Sequence, residues 1–145
     1  YPKGSDPREA LKAWHFMLGL SIFVLVFLRL ADRLGTPVPR IVPDPSRWQK
    51  LSATFMHAGL YALMIGMPLV GWLLLSAEGK AIPFFGLEIP ALIDQNKDLA
   101  GRLKEIHETA GTVGYFLIGF HAAAALFHHY FLRDNTLQRM LPSKD

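Results

Sequence analysis

The chain has 145 residues, of which 51% are hydrophobic and only 19% charged. This composition is too apolar for an ordinary small soluble domain and indicates a protein embedded in a bilayer. The net charge of +3 is unremarkable, and the basic residues lie between apolar runs instead of in one patch, so nucleic-acid binding has little support. The absence of cysteine excludes disulfides, iron–sulfur clusters and thiolate ligation, which leaves histidine or methionine to hold any metal.

Three apolar runs follow one another along the chain, at about residues 10–30, 51–75 and 106–132. Each is long enough to cross a bilayer as a helix, and the second contains no Asp, Glu, Lys or Arg. The sequence therefore predicts an all-α membrane helical bundle with three transmembrane helices, built as a single domain over residues 1–145.

The two connecting segments differ in character. Residues 31–50 form a linker that we expect to be extended because it contains Pro37, Pro39, Pro43 and Pro45. Residues 76–104 form a mixed loop whose apolar piece, 82–92, is too short to cross and is predicted to lie at the membrane interface. Three tryptophans at span ends are expected to be interfacial anchors: Trp14, Trp48 and Trp72.

Basic residues suggest an orientation. Three spans place the two ends of the chain on opposite sides, and the side of the 31–50 linker carries eight basic residues against seven on the other. Those eight are Arg29, Arg33, Arg40, Arg47, Lys50, Arg133, Arg139 and Lys144. They are denser near the membrane ends, so we predict that this side is cytoplasmic.

Four of the six histidines, His15, His57, His107 and His121, lie within or just inside the apolar spans. Ionisable side chains at this depth are costly and usually face the bundle interior. For any one of them a hydrogen bond to a neighbouring helix would be a sufficient explanation, but four together predict a function. His107 and His121 are fourteen residues apart, which brings them within roughly 40° of one helix face and separates them by roughly 21 Å. One helix can thus offer ligands to two stacked haems.

His15 and His107 are expected at similar depths, so they form a plausible axial pair for a low-spin haem with no open coordination position. Three glycines, Gly19, Gly111 and Gly114, are predicted to let the flat ring approach the helices closely.

His121 lies toward the other side. Its possible partners are His57 or a ligand from a helix outside this chain. Zinc is the competing metal, but it prefers three or four clustered ligands, whereas these histidines are spread over two depths.

His128 and His129 lie near the end of the third span. Their default interpretation is interfacial anchoring. The functional alternative is a quinone pocket in which His57 or His128 donates a hydrogen bond and a proton to a ring carbonyl.

Several stretches closely resemble the bacterial cytochrome b561 family. The third span carries His107-Glu108-Thr109 and then GYFLIGFHAAAALFHHYF over residues 114–131, followed by DNTL over 134–137. His57 with Leu60-Tyr61, MPLVG over 67–71, FGL over 85–87 and Ile89-Pro90 extend the resemblance over essentially the whole chain.

The resemblance implies a di-haem b electron-transfer protein of the bacterial inner membrane, multi-pass, that oxidises superoxide and reduces ubiquinone. It implies that His15 and His107 hold the haem nearer the periplasm and that His121 is one ligand of the second haem. His57 and His128 match positions beside the quinone. The expected partners are membrane lipid, quinone, superoxide or another one-electron donor, and a second copy of the chain.

The family bundle has four helices, and its first has no counterpart before Tyr1, which predicts that the sequence is a fragment. Without that helix, His121 would need His57, His128 or a neighbouring subunit as its partner.

Two alternative functions remain open from the sequence. One is a cytochrome b membrane anchor that passes electrons between a dehydrogenase or hydrogenase and quinone. The other is a haem-free structural or lipid-binding membrane protein. The loop residues Lys80, Lys97, Arg102 and Lys104 can attract an anion such as superoxide, although a simple solvated loop explains each of them as well.

Overall fold

The computed structural model describes residues 1–37 and 40–138, so Pro39, Arg139 and Lys144 lie outside the described residues. The architecture is mostly helical, and its three long helices are each long and apolar enough to cross a membrane, which confirms the predicted fold class. The elements in chain order are α1 (Asp6–Gly35), α2 (Arg47–Glu78), β1 (Ile82–Phe84), β2 (Leu87–Ile89), α3 (Lys97–Phe127) and a π-helix (His128–Leu132) that continues α3.

All three helices extend beyond the predicted spans of 10–30, 51–75 and 106–132. Hydropathy marks only the part of a helix that suits lipid, whereas capping groups mark where the helix ends. Helix α2 begins at a capping box, in which the Ser46 hydroxyl accepts from the Gln49 N–H and the Gln49 side chain accepts from the Ser46 N–H. It ends at Gly79 in the left-handed conformation. Parts of the predicted linker and loop are therefore helical.

The apolar piece between α2 and α3 forms an antiparallel hairpin, which the sequence did not predict. Ile82 pairs with Ile89, and Phe84 pairs with Leu87. Ile82 is buried against Leu20 of α1, and the Phe85 N–H donates to the Met17 sulfur, 3.4 Å away. The hairpin therefore folds back over α1 and α2 and closes one end of the bundle, which we call the hairpin end.

Trp72 makes a contact that the sequence did not predict. Its Nε1–H donates to the Pro90 carbonyl at 3.0 Å, and its ring packs against the buried cluster beneath the hairpin. This side chain therefore ties α2 to the loop after β2. Trp14 and Trp48 remain 53% and 78% exposed, as interfacial anchors would be.

Helix α2 packs mainly against α3, and the two run antiparallel. Four glycines lie where the helices come closest, each opposite a large side chain of the other helix. The pairs are Gly59 with Leu117, Leu63 with Gly114, Met67 with Gly111, and Gly71 with His107. A Cβ added at any of these glycines would lie 3.0–3.5 Å from that side chain, so the register of the two helices is closely specified.

The outer faces of the helices expose large apolar side chains, among them Leu28, Phe55 and Phe116, each more than 60% exposed. On a soluble monomer such a surface would promote aggregation. On helices of this length it is the surface that lipid covers.

Alanine substitutions at two glycines of α3 distinguish the contribution of close helix packing to stability from that of helix propensity. A Cβ at Gly114 would lie 3.0 Å from Leu63, whereas a Cβ at Gly119 would meet nothing within 4 Å. We expect Gly114→Ala to lower the free energy of unfolding in detergent by about 1–3 kcal/mol, because the Leu63 side chain or the helices must shift to make room. Gly119→Ala should leave it unchanged or raise it by up to about 1 kcal/mol. Equal effects of the two substitutions on unfolding would contradict this packing.

Candidate functional site: two histidine pairs and a polar helix end

The first histidine pair joins α1 to α3 near the hairpin end. His15 and His107 each lie about three turns from the start of their helices, and their ring centroids are 5.9 Å apart with the planes at 85°. Metal–imidazole bonds are about 2 Å long, so one metal atom can lie between rings at this separation. The structure thus brings together the two residues that the sequence predicted to act as a pair.

A cavity of about 270 Å³ adjoins this pair. Its wall contains both imidazoles and, as predicted, Gly19, Gly111 and Gly114, and is otherwise largely apolar. A Cβ at Gly19 would meet nothing within 4 Å, so the α1 backbone borders open space there. Gly114 also has a packing role, since Leu63 lies against it. The cavity suits an apolar, flat ligand.

The His107 ring lies in a notch of α2. A Cβ added at Gly71 would lie 3.3 Å from its Cε1 atom, so only glycine lets the ring sit this close to the helix. Its Nδ1 is buried and has no hydrogen-bond partner among residues 1–37 and 40–138. A buried nitrogen without a partner is unusual in a folded interior, and it is consistent with a ring whose environment is completed by a bound group. The sequence analysis gave Gly71 no role, because the notch depends on the register of two helices.

The second pair joins α2 to α3 near the end where the 31–50 linker lies, which we call the linker end. His57 and His121 have ring centroids 5.7 Å apart and planes at 69°. His57 is one of the partners that the sequence left open for His121. His107 and His121 are fourteen residues apart on α3, and Gly71 and His57 are fourteen residues apart on α2. Since the two helices are antiparallel, the two histidine pairs lie roughly 21 Å apart along the helix axes.

The end of α3 carries a third, polar arrangement. His128 begins the π-helix, and its Nδ1 lies 2.5 Å from Oδ2 of Asp134. Asp134 is buried, and its other oxygen accepts from the Thr136 N–H at 2.9 Å. Burial alone would raise the pKa of the Asp134 carboxyl, but the hydrogen bonds with His128 and Thr136 outweigh it and hold this pKa below its ordinary value. Asp134 is a site residue that the sequence analysis missed. His129 instead packs its ring against Tyr130, 4.9 Å between centroids.

Asn135 fastens the linker to this helix end. Its side chain accepts from the Val42 N–H at 2.9 Å and donates to the Arg40 carbonyl at 3.3 Å. Its own N–H donates to the Val42 carbonyl. The linker is therefore held beside His128 by a residue that makes none of the contacts of the His128–Asp134 pair.

The ligand groups occur in pairs. Within the part of the chain that the structure describes, no three His, Asp or Glu side chains gather as metal ligands. Zinc sites in proteins require three or four, whereas a metal already held in a macrocycle needs only two axial ligands. The arrangement is therefore better suited to haem than to zinc.

The basic residues of the hairpin end are partly neutralised. Lys80 pairs with Glu78 at 2.8 Å, and Lys104 lies 3.6 Å from Glu108. Exposed pairs of this kind leave little net field to steer an anion, so the solvated-loop interpretation is favoured for these two lysines.

Comparison with known proteins agrees with this architecture. The sequence model of prokaryotic cytochrome b561 matches residues 1–143. The chain belongs to this family. Cytochrome b561 homolog 1 of Escherichia coli (strain K12) is 40% identical over 144 residues, which cover 99% of this chain and 82% of that protein. The probable superoxide oxidase CybB of Yersinia pestis is 42% identical over 145 residues, with 98% and 82% covered. Cytochrome b561 homolog 2 of Escherichia coli (strain K12) is 31% identical over 131 residues, with 88% and 68% covered.

Membership of the cytochrome b561 family confirms the resemblance seen in the sequence. It makes the chain a bacterial multi-pass membrane protein of electron transfer and implies haem b as its cofactor. The residues at the hairpin end fit that group: two facing imidazoles, an unpaired buried ring nitrogen on His107, and a glycine-lined apolar cavity beside them.

The notch at Gly71 gives a test of this fit. We expect Gly71→Ala to displace the His107 ring by a few tenths of an ångström and to weaken haem retention roughly tenfold, which corresponds to about 1.4 kcal/mol. The measurement is the haem-to-protein ratio of the purified protein during dilution, together with the reduction potential. The matched control is Gly66→Ala on the same helix, where a Cβ would meet nothing within 4 Å. Equal retention by both variants would show that the notch does not position His107.

Proposed function

We propose that this protein is a di-haem b oxidoreductase that takes electrons from superoxide and delivers them to ubiquinone in the bacterial inner membrane. The observation that carries the proposal is the placement of two histidine pairs at opposite ends of one antiparallel helix pair. The Yersinia pestis relative, a probable superoxide oxidase, supports the choice of superoxide as donor.

In this proposal His15 and His107 would hold one haem b at the hairpin end, and His121 would help to hold a second at the linker end. Bound there, haem b would supply one-electron transfer. The chain supplies the surroundings: Gly19 and Gly111 leave room beside the rings, and Ile82 of the hairpin helps to close the cavity. The largely apolar wall of the cavity would place a bound haem in low-dielectric surroundings.

The substrates are assigned to opposite ends. Two superoxide ions give up two electrons at the hairpin end and leave as two molecules of oxygen. Ubiquinone takes two electrons and two protons at the linker end, where His57 and His128 lie. The linker end carries Arg29, Arg33 and Arg47 near the helix ends, which supports its placement on the cytoplasmic side.

Replacing one histidine at each end of the bundle tests the haem assignment. We expect His107→Ala to lose the haem of the hairpin end and His121→Ala to lose the other, because each substitution removes an imidazole that would hold the group. Superoxide-driven quinone reduction should fall to the uncatalysed background in both. The measurements are haem stoichiometry, the reduced-minus-oxidised spectrum and quinol formation. His129→Ala is the control and should keep the wild-type spectrum and rate. Full haem content in His107→Ala would overturn the assignment.

His57 has two possible roles beside His121, and we assign it to the quinone. On this assignment His57→Ala keeps the wild-type haem content but slows quinone reduction by roughly a hundredfold, the usual effect of removing a proton donor. If His57→Ala loses one haem, as His121→Ala does, then His57 is the second axial ligand. A wild-type protein that contains both haems and never reduces quinone with superoxide would instead be an electron-carrying anchor subunit.

A further inference from the structure

The Asp134 carboxylate is held against His128 by several hydrogen bonds, more than the end of a helix needs. Asp134 has a side chain only 5% exposed and already accepts a hydrogen bond from the Thr136 N–H through Oδ1. Its backbone N–H donates to the His128 carbonyl at 3.2 Å. The carboxylate is therefore fixed independently of the imidazole, and Oδ2 remains for His128 Nδ1 at 2.5 Å.

The π-helix creates this contact. The Arg133 N–H donates to the His128 carbonyl, five residues back, and Arg133 then takes a left-handed conformation with φ of 53°. The wider turn and the reversal after it return residue 134 to the side of His128. Single π-turns of this kind are frequent at functional sites.

The carboxylate determines which ring nitrogen can act. An ionised carboxylate only accepts hydrogen bonds, so the proton in this contact is on His128 Nδ1. The lowered pKa of Asp134 agrees with an ionised carboxylate. Nε2 is then the ring nitrogen that remains free to contact a substrate. The His128 side chain is 23% exposed, so the ring is accessible from outside the bundle.

We propose that Asp134 is a positioning residue for quinone reduction: it holds the proton of His128 Nδ1 and so directs Nε2 of His128, expected beside the quinone, toward a carbonyl oxygen. This inference rests on the proposed quinone-reducing function and assigns a positioning residue to it.

The chemistry balances as follows for one quinone. Two superoxide ions supply two electrons and become two molecules of oxygen. The imidazolium of His128 transfers its Nε2 proton to one quinone oxygen and becomes a neutral ring that keeps its Nδ1–H on Asp134. His57, assigned above as a proton donor, gives a proton to the other oxygen, and protons from water at the linker end restore both histidines. The quinone leaves as quinol.

The decisive variant is Asp134→Asn, which keeps the shape of the side chain. Its Oδ1 still accepts from the Thr136 N–H, but its NH₂ now faces His128 Nδ1 and donates to it. The ring is thereby held in the neutral form with the proton on Nε2. The matched control is Asn135→Ala, which removes the side-chain bonds to Arg40 and Val42 without touching the His128–Asp134 pair.

The experiment separates the two half-reactions in the haem-loaded protein reconstituted in lipid. We expect reduction of the protein by superoxide, and its spectrum, to be unchanged in both variants. Reoxidation of the prereduced protein by a soluble ubiquinone should slow at least about tenfold in Asp134→Asn, as for loss of a general acid. In Asn135→Ala it should stay within about twofold. Asp134→Glu, which restores the charge, should recover part of the rate.

A readout independent of activity is the ¹⁵N NMR spectrum of the histidine side chains, with His128 assigned by comparison with His128→Gln. The wild type should show a proton on Nδ1 of His128, and Asp134→Asn should show it on Nε2 alone. Equal reoxidation rates in wild type, Asp134→Asn and Asn135→Ala would overturn the positioning role of Asp134, and so would equal slowing in both variants. If quinone fails to reoxidise the wild type itself, it is the proposed function that fails.

Discussion

The close antiparallel packing of α2 on α3 is the constraint on which the two histidine sites depend. At four successive contacts a glycine of one helix lies against a large side chain of the other. Gly59 and Gly71 are the glycines of α2, and Gly114 and Gly111, between them, are those of α3. In lipid there is little hydrophobic force between helices, so close van der Waals contact must specify the register. A shift of even one residue would place side chains against each other at every level.

That register places both sites at once. Moving fourteen residues along α3 from His107 reaches His121, and moving the same distance back along α2 from Gly71 reaches His57. Near the hairpin end, the His107 ring therefore lies in the notch at Gly71. Near the linker end, the imidazoles of His57 and His121 come together. Helix α1 contributes His15 only at the hairpin end, where the hairpin itself packs on α1. The two sites thus differ in construction although the same pair of helices sets their spacing.

The sequence predicted those features that depend on one segment at a time. Hydropathy found three spans, and the spacing of His107 and His121 on one helix predicted two levels. The helix ends were missed because caps such as Ser46 and Gly79 lie in polar sequence. The hairpin was missed because its strands have three residues each. Gly71 and Asp134 acquire their roles only through tertiary contacts, one from helix register and the other from a π-turn, and neither leaves a periodic signal.

The two ends of the bundle offer different chemical environments. At the hairpin end the histidines adjoin a largely apolar cavity that Ile82 helps to line. A group bound there can gain or lose an electron but has few proton donors near it. At the linker end a hydrogen bond joins His128 to Asp134, and Asn135 separately holds the linker beside them. Superoxide oxidation releases only oxygen and an electron, whereas quinone reduction consumes protons. In the proposed function, the polar end therefore suits the proton-consuming half-reaction, and the apolar end suits the half-reaction that consumes none.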